Sequence, residues 1–142
     1  MYNYIKLISS VFKMENLTVL YVDDEEINLR TFRSTFRRDF IILIAGSSND
    51  GLNILENEPL DILITDQRMP EMTGVEFLRK VAMKFPNIPP VRLMKSGYSA
   101  DQDIDDAFKF YKLFWFITKP WDEIFLKDTI IEASTLLSRN YE

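Results

Sequence analysis

Asp61-Ile62-Leu63-Ile64-Thr65-Asp66-Gln67-Arg68-Met69-Pro70 is the stretch that decides how this chain folds. An apolar run of strand formers ends in a carboxylate and passes at once into a polar turn closed by proline. The run is too short for a helix, and its unbroken apolar character suits a strand buried on both faces. The same pattern recurs on either side. Leu17-Thr18-Val19-Leu20-Tyr21-Val22 ends in Asp23-Asp24, and Leu113-Phe114-Trp115-Phe116-Ile117 leads to Lys119-Pro120. These three acids and one lysine converge if the strands lie parallel in one sheet. Such a cluster can hold a divalent cation beside a carboxylate that accepts a phosphoryl group.

Working outward, Phe40 to Ala45 and Val91 to Met94 read as two further strands. Helix-period segments separate the five. Glu25 to Arg38 carries Ile27, Leu29, Phe32 and Phe36, with acids at its start and Arg37-Arg38 at its end, as the helix dipole favours. Ser48 to Glu58 has Leu52, Ile54 and Leu55 on one face, and Gly74 to Phe85 has Val75, Phe77, Leu78, Val81 and Ala82. Ala100 to Phe110 is acidic, and Asp122 to Leu137 carries Ile124, Phe125, Ile130, Ile131 and Leu137. Strands alternating with helices predict an α/β domain, a parallel sheet covered on both faces. Right-handed crossovers bring every strand's C-terminal end to one edge, where such sheets bind ligands. Asp23, Asp24, Asp66, Ser96 and Lys119 all fall on that edge.

Composition narrows the chemistry. A chain of 142 residues with 46% apolar residues suits one domain with one core. It has no cysteine and no histidine, which excludes disulfides, thiolate chemistry, Ser-His catalysis and histidine-ligated metals. A net charge of -5 argues against a nucleic-acid surface. No apolar stretch approaches a membrane span and no signal-peptide pattern is found, so a cytoplasmic location is expected. Residues 1–13 read as an N-terminal extension, disordered or not native, with Met14 as an alternative start and residues 14–142 as the domain.

Crowded carboxylates raise one another's pKa unless a positive charge compensates. Mg²⁺, a hard cation with oxygen ligands that keeps several waters, resolves the conflict with one or two carboxylates and a phosphate oxygen. Lys119 adds a further positive charge, and the Ser96 hydroxyl completes a cradle for phosphoryl oxygens, in keeping with a transfer that is mostly positioning and electrostatics. Taken singly, Asp23-Asp24 also reads as a helix cap, Asp66 as a turn acid and Lys119 as a solvated lysine before proline. Their coincidence at separate strand ends favours a site.

At these residues the chain resembles the receiver domain of two-component response regulators. The resemblance is carried by Leu20-Tyr-Val-Asp23-Asp24-Glu25, by Leu63-Ile-Thr-Asp66-Gln-Arg-Met-Pro-Glu-Met-Thr-Gly-Val-Glu-Phe-Leu78, by Ser96-Gly-Tyr98 and by Phe116-Ile-Thr-Lys119-Pro-Trp121. It covers about residues 14 to 138. It implies a flavodoxin-like doubly wound sheet of order 2-1-3-4-5 with five helices. It also implies that Asp66 is phosphorylated by a sensor histidine kinase or a phosphotransfer protein. Asp24 and Asp66 are then direct Mg²⁺ ligands, with Asp23 acting through water and the Arg68 main-chain oxygen as a further ligand. Ser96 and Lys119 contact the phosphoryl group, Phe116 is the switch aromatic, and Lys119-Pro120 is a cis bond. The implied output face is helix 4, strand 5 and helix 5, open to a downstream protein or to a homodimer. Neither nucleic acid nor membrane is an implied partner of this domain.

The motifs are similar to those of receivers fused to HD-type phosphodiesterases or transcriptional outputs, while this chain is expected to be a receiver alone or cut from a longer protein. Two positions depart from the pattern. Lys95 stands where an apolar residue is usual, so it is expected either to snorkel or to loosen that strand end. Tyr111-Lys112 replaces glycines, which puts a left-handed turn there under strain. Most of the aromatics Phe108, Phe110, Tyr111, Phe114 and Trp115 are expected in the core, the rest on a partner surface. Two other functions compete. An aspartyl-phosphate phosphohydrolase needs a second acid two residues after its nucleophile, where Arg68 stands. A degenerate receiver acting as a constitutive binding module would bind neither Mg²⁺ nor beryllofluoride.

Overall fold

Apolar pentapeptides buried on both faces form the centre of the sheet. A computed structural model describes residues 17–97 and 102–139, with β1 (Thr18–Val22), β2 (Ile41–Ala45), β3 (Ile62–Asp66), β4 (Val91–Ser96) and β5 (Leu113–Thr118). All neighbouring strands are parallel, in the order β2-β1-β3-β4-β5, which matches the expected flavodoxin-like sheet. The helices are α1 (Glu26–Phe36), α2 (Ser48–Asn57), α3 (Gly74–Lys84), α4 (Gln102–Phe110) and α5 (Glu123–Arg139). The expectation for residues 1–13 lies outside the described residues, as do Tyr98 and the expected start of α4 at Ala100.

Alternation along each strand divides the core in two. On one side Val19, Tyr21, Ile62, Ile64 and Leu93 pack against Leu29, Phe32 and Phe36 of α1 and Leu126, Ile130 and Ala133 of α5. On the other, Leu20, Val22, Leu63 and Met94 meet Leu52 and Leu55 of α2, Phe77, Leu78 and Val81 of α3, and Ile104 and Ala107 of α4. Helix starts follow local chemistry. Thr73 and Glu76 form a reciprocal capping box on α3, and Ser47 accepts the Asp50 N–H on α2.

The structure moves several expected boundaries toward the site. β4 continues past Met94 through Lys95 to Ser96, and β5 continues through Thr118, because Asp66 pairs with Lys95 and Ser96 with Thr118. Arg37 and Arg38 leave α1 for the turn that follows it. The pairing of β4 with β5 shifts register between Arg92 and Leu93, so that Leu113 and Trp115 become successive partners. Lys112, before this irregular strand, has φ of 59°, so the chain does take a left-handed turn at the site where Tyr111-Lys112 stands in place of glycines.

Candidate functional site

Parallel register delivers the acids to one point. Val22 aligns with Thr65 across β1 and β3, so Asp23 and Asp24 leave β1 beside Asp66. One carboxylate oxygen from each of the three lies within 4.8 Å of the others. Asp23 is fully buried, Asp66 is 4% exposed, and Asp24 is open to solvent. These are hard oxygen donors in a chain without histidine or cysteine, a set that fits Mg²⁺.

Asp66 is held from both sides. Its Oδ1 accepts the Gln67 N–H at 3.0 Å and lies 2.6 Å from the Lys119 ammonium. Burial pushes its pKa above the ordinary carboxylate value; the bond from Lys119 opposes that rise, and the charge of Asp23 adds to it. The Lys119 N–H donates to the Ser96 carbonyl at 3.2 Å, tying β5 to β4 at this edge, and the Lys119-Pro120 bond is cis. A groove of about 500 Å³ opens above, lined by Asp24, Arg68, Ser96 and Asp103 among others.

Asp23 has a different set of partners. Its Oδ1 accepts the Glu25 N–H at 2.9 Å, ahead of α1. The cap position itself is Glu25, with no side-chain bond to the first turn, so neither Asp23 nor Asp24 is the N-cap that the cap reading expected. Its Oδ2 accepts the Tyr21 hydroxyl at 2.6 Å and the Asn28 amide at 3.1 Å. The Lys95 ammonium donates to that same Tyr21 hydroxyl and lies 3.9 Å from Asp23 Oδ2. Lys95 therefore neither snorkels nor loosens the strand. It is 2% exposed within an intact β4, because the Tyr21–Asp23 pair and the faces of Tyr21 and Trp121 receive its head. Burial lowers its pKa and Asp23 opposes that shift.

Three residues of the site were not singled out by sequence reasoning. Gln67 is buried, its N–H donates to the Lys95 carbonyl at 2.9 Å, and its side-chain oxygen accepts the Val75 N–H at 2.9 Å. It thereby fixes the Asp66 turn to the start of α3, through a partner eight residues away that no local pattern announces. Gly74 lets α3 approach so closely that a Cβ there would meet the Asp66 carbonyl at 2.4 Å. Thr73-Gly-Val-Glu76 was a legible helix start; the close approach was not. Tyr21 looked like one more apolar strand residue.

Phe116 is half-buried, 6.1 Å from Phe108 and stacked on Trp115 at 5.5 Å. Of the five aromatics noted in this region, Phe108, Tyr111 and Phe114 pack against the core, whereas Phe110 and Trp115 are 67% and 48% exposed.

A five-stranded parallel sheet of this order, with an acid cluster at its C-terminal edge, defines the class of flavodoxin-like, doubly wound α/β folds. The sequence profile described as "Response regulator receiver domain" matches residues 19–131, and the chain belongs to that family of two-component signalling domains. It is 39% identical over 119 residues to the hydrogenase transcriptional regulatory protein HoxA of Bradyrhizobium diazoefficiens, covering 84% of this chain and 24% of that protein. It is 37% identical to HoxA of Cupriavidus necator, covering 82% of this chain and again 24% of the relative. The chain thus spans about a quarter of the length of these relatives.

Among solved structures, a receiver domain from Clostridium thermocellum superposes with a TM-score of 0.73 at 28% identity, covering 86% of this chain and 97% of that one. The signal receiver domain of an HD domain-containing protein from Pseudomonas fluorescens gives 0.80 at 20% identity, covering 89% and 93%, a likeness of fold alone. Among the described residues, no helix is long and apolar enough to cross a membrane.

Proposed function

We propose that the domain is a phosphorylation-dependent signalling switch in which Asp66 accepts a phosphoryl group from a histidine kinase or phosphotransfer protein in the cytoplasm. The observation that carries this reading is a buried Asp66 carboxylate, 2.6 Å from Lys119 and grouped with Asp23 and Asp24, beneath a groove that Ser96 lines. In the transfer the phosphorus–nitrogen bond of the donor breaks and a bond to an Asp66 carboxylate oxygen forms. Asp24, Asp66 and the Arg68 main-chain oxygen would hold Mg²⁺ directly, and Asp23 would hold it through water. The cation supplies positive charge against the phosphoryl oxygens.

The chain's own residues do the positioning. Gln67 and the close approach at Gly74 orient the Asp66 turn, and Lys119 offsets charge on the acceptor. Ser96 reaches the phosphoryl group, and Phe116 follows it inward along the face of Phe108. The added charge favours whichever arrangement lets Ser96 and Lys119 reach it, so the switch is a population shift. The exposure of Phe110 and Trp115 supports the α4–β5–α5 face as the output surface, for a downstream protein or a second copy of the chain. The name of the HoxA relatives makes transcriptional control the first output to test.

Mg²⁺-dependent labelling of Asp66 by acetyl phosphate, read by intact mass, is the direct test. The expected result is one phosphoryl group on the wild type and none on Asp66→Ala. Labelling that persists in the variant, or steady turnover of a generic phosphate ester, would overturn the assignment.

A further inference from the structure

Lys95 stands apart from the other charged residues of the cluster. It does not line the groove; its ammonium points into the α1–α5 layer, 4.8 Å from the Tyr21 ring centre and 5.6 Å from that of Trp121. A lysine ordinarily keeps its head in water, and a desolvated one persists only where negative charge and hydrogen bonds receive it. Here Asp23 supplies the charge at 3.9 Å, and the Tyr21 hydroxyl links the two, accepting from Lys95 and donating to Asp23.

This arrangement changes the electrostatics of the cluster. The three grouped carboxylates face two ammonium groups, those of Lys95 and Lys119, so the group itself keeps one negative charge, to which the nearby Glu25 adds its field. Without Lys95 two would be left, the number that one divalent cation balances. The Lys95 head is buried and only a few ångströms from Asp23, so mobile salt screens it poorly. A phosphoryl group reverses the balance, because its negative charge accommodates a lysine and a divalent cation together.

We propose that Lys95 is a built-in counter-cation of the acid cluster, which keeps the cluster's affinity for a divalent metal low until an anionic phosphoryl group joins Asp66. Lys95 acts through Tyr21 and Asp23 and is a positioning residue, not a metal ligand. The lowered metal affinity requires only that the cluster bind a divalent cation; the release of that effect rests on the reading of Asp66 as phosphoacceptor.

Calorimetric titration of the full chain with Mg²⁺, with and without beryllofluoride, tests both parts. Lys95→Met is expected to bind Mg²⁺ about tenfold more tightly than wild type without beryllofluoride, the order expected from removing one nearby buried charge. That advantage is expected to shrink once beryllofluoride is present. Lys95→Arg keeps the charge and is expected to keep the wild-type affinity. Lys95→Gln, which retains length and a donor for Tyr21, carries the same expectation as Lys95→Met should the methionine variant fail to fold. A wild type that binds Mg²⁺ with variants that bind it equally or more weakly overturns the role of Lys95 alone. An undiminished advantage in beryllofluoride overturns the release step alone. A wild type that binds neither Mg²⁺ nor beryllofluoride overturns this proposal and the reading of the site together.

Discussion

Strand β4 carries two buried cations three residues apart, and they are accommodated in opposite ways. Arg92, at the start of the strand and 0% exposed, faces the α3–α4 layer. Its guanidinium donates to the carbonyls of Phe85, Asn87 and Tyr111, and among the described residues no acid is paired with it. Lys95, at the other end, faces the α1–α5 layer and meets a hydroxyl and a carboxylate. The difference follows from the side chains themselves. A planar fork of donors can satisfy several backbone carbonyls at once, whereas a compact ammonium needs concentrated negative charge. Arg92 therefore pins the loops that follow α3 and α4, and Lys95 is coupled to the acid cluster. One end of β4 uses a cation for architecture, the other for electrostatics.

The contrast is most exposed at Arg92. Arg92→Met leaves three carbonyls without their donor and is expected to destabilise the domain by about 3–5 kcal/mol, read by urea unfolding. Mg²⁺ affinity in the folded fraction should not change, since the side chain lies on the opposite face of the sheet and at its far end. A large change in metal binding would erase the distinction between the two cations. Lys95→Met is expected to combine the large affinity change given above with a stability loss of about 2–3 kcal/mol, because Tyr21 and Asp23 lose one buried partner but keep each other.

Tyr21→Phe is an intermediate case. It removes the hydroxyl between Lys95 and Asp23 and should cost about 1–2 kcal/mol, because one buried donor and one buried acceptor lose their partner. A neutral result would mean that Lys95 and Asp23 pair directly and the phenol only packs. The smallest effect is expected at the surface. Lys127 lies 2.9 Å from Asp39, which raises its pKa, yet both groups are substantially solvated. Lys127→Ala should change stability by less than about 0.5 kcal/mol, well below either β4 cation.

Much of this was legible in the chain. Apolar pentapeptides between helix-period segments announced a parallel sheet, and acids at the ends of two of them announced the edge that carries the candidate site. The strain of a left-handed turn without glycine at Tyr111-Lys112 was legible too, because it belongs to the local residues; that the chain takes that turn at Lys112 was not. Other features were not. The register shift opposite Arg92 places Trp115 and Phe116 together near Phe108, and no local pattern encodes it. Lys95 was visible as an anomaly, but neither expected outcome was the one found.

The sequence by itself determined the elements, their parallel order of use and the candidate set Asp23, Asp24, Asp66, Ser96 and Lys119, because each signal lies within a few consecutive residues. Only the tertiary structure decided how Asp66 is oriented, through Gln67 reaching the start of α3 and through the gap that Gly74 leaves for the Asp66 carbonyl. It alone decided that Lys95 lies inside the sheet's hydrophobic layer. The physical reason is common to both. A buried polar group is stable only with its partners, and those partners are brought by other segments of the chain.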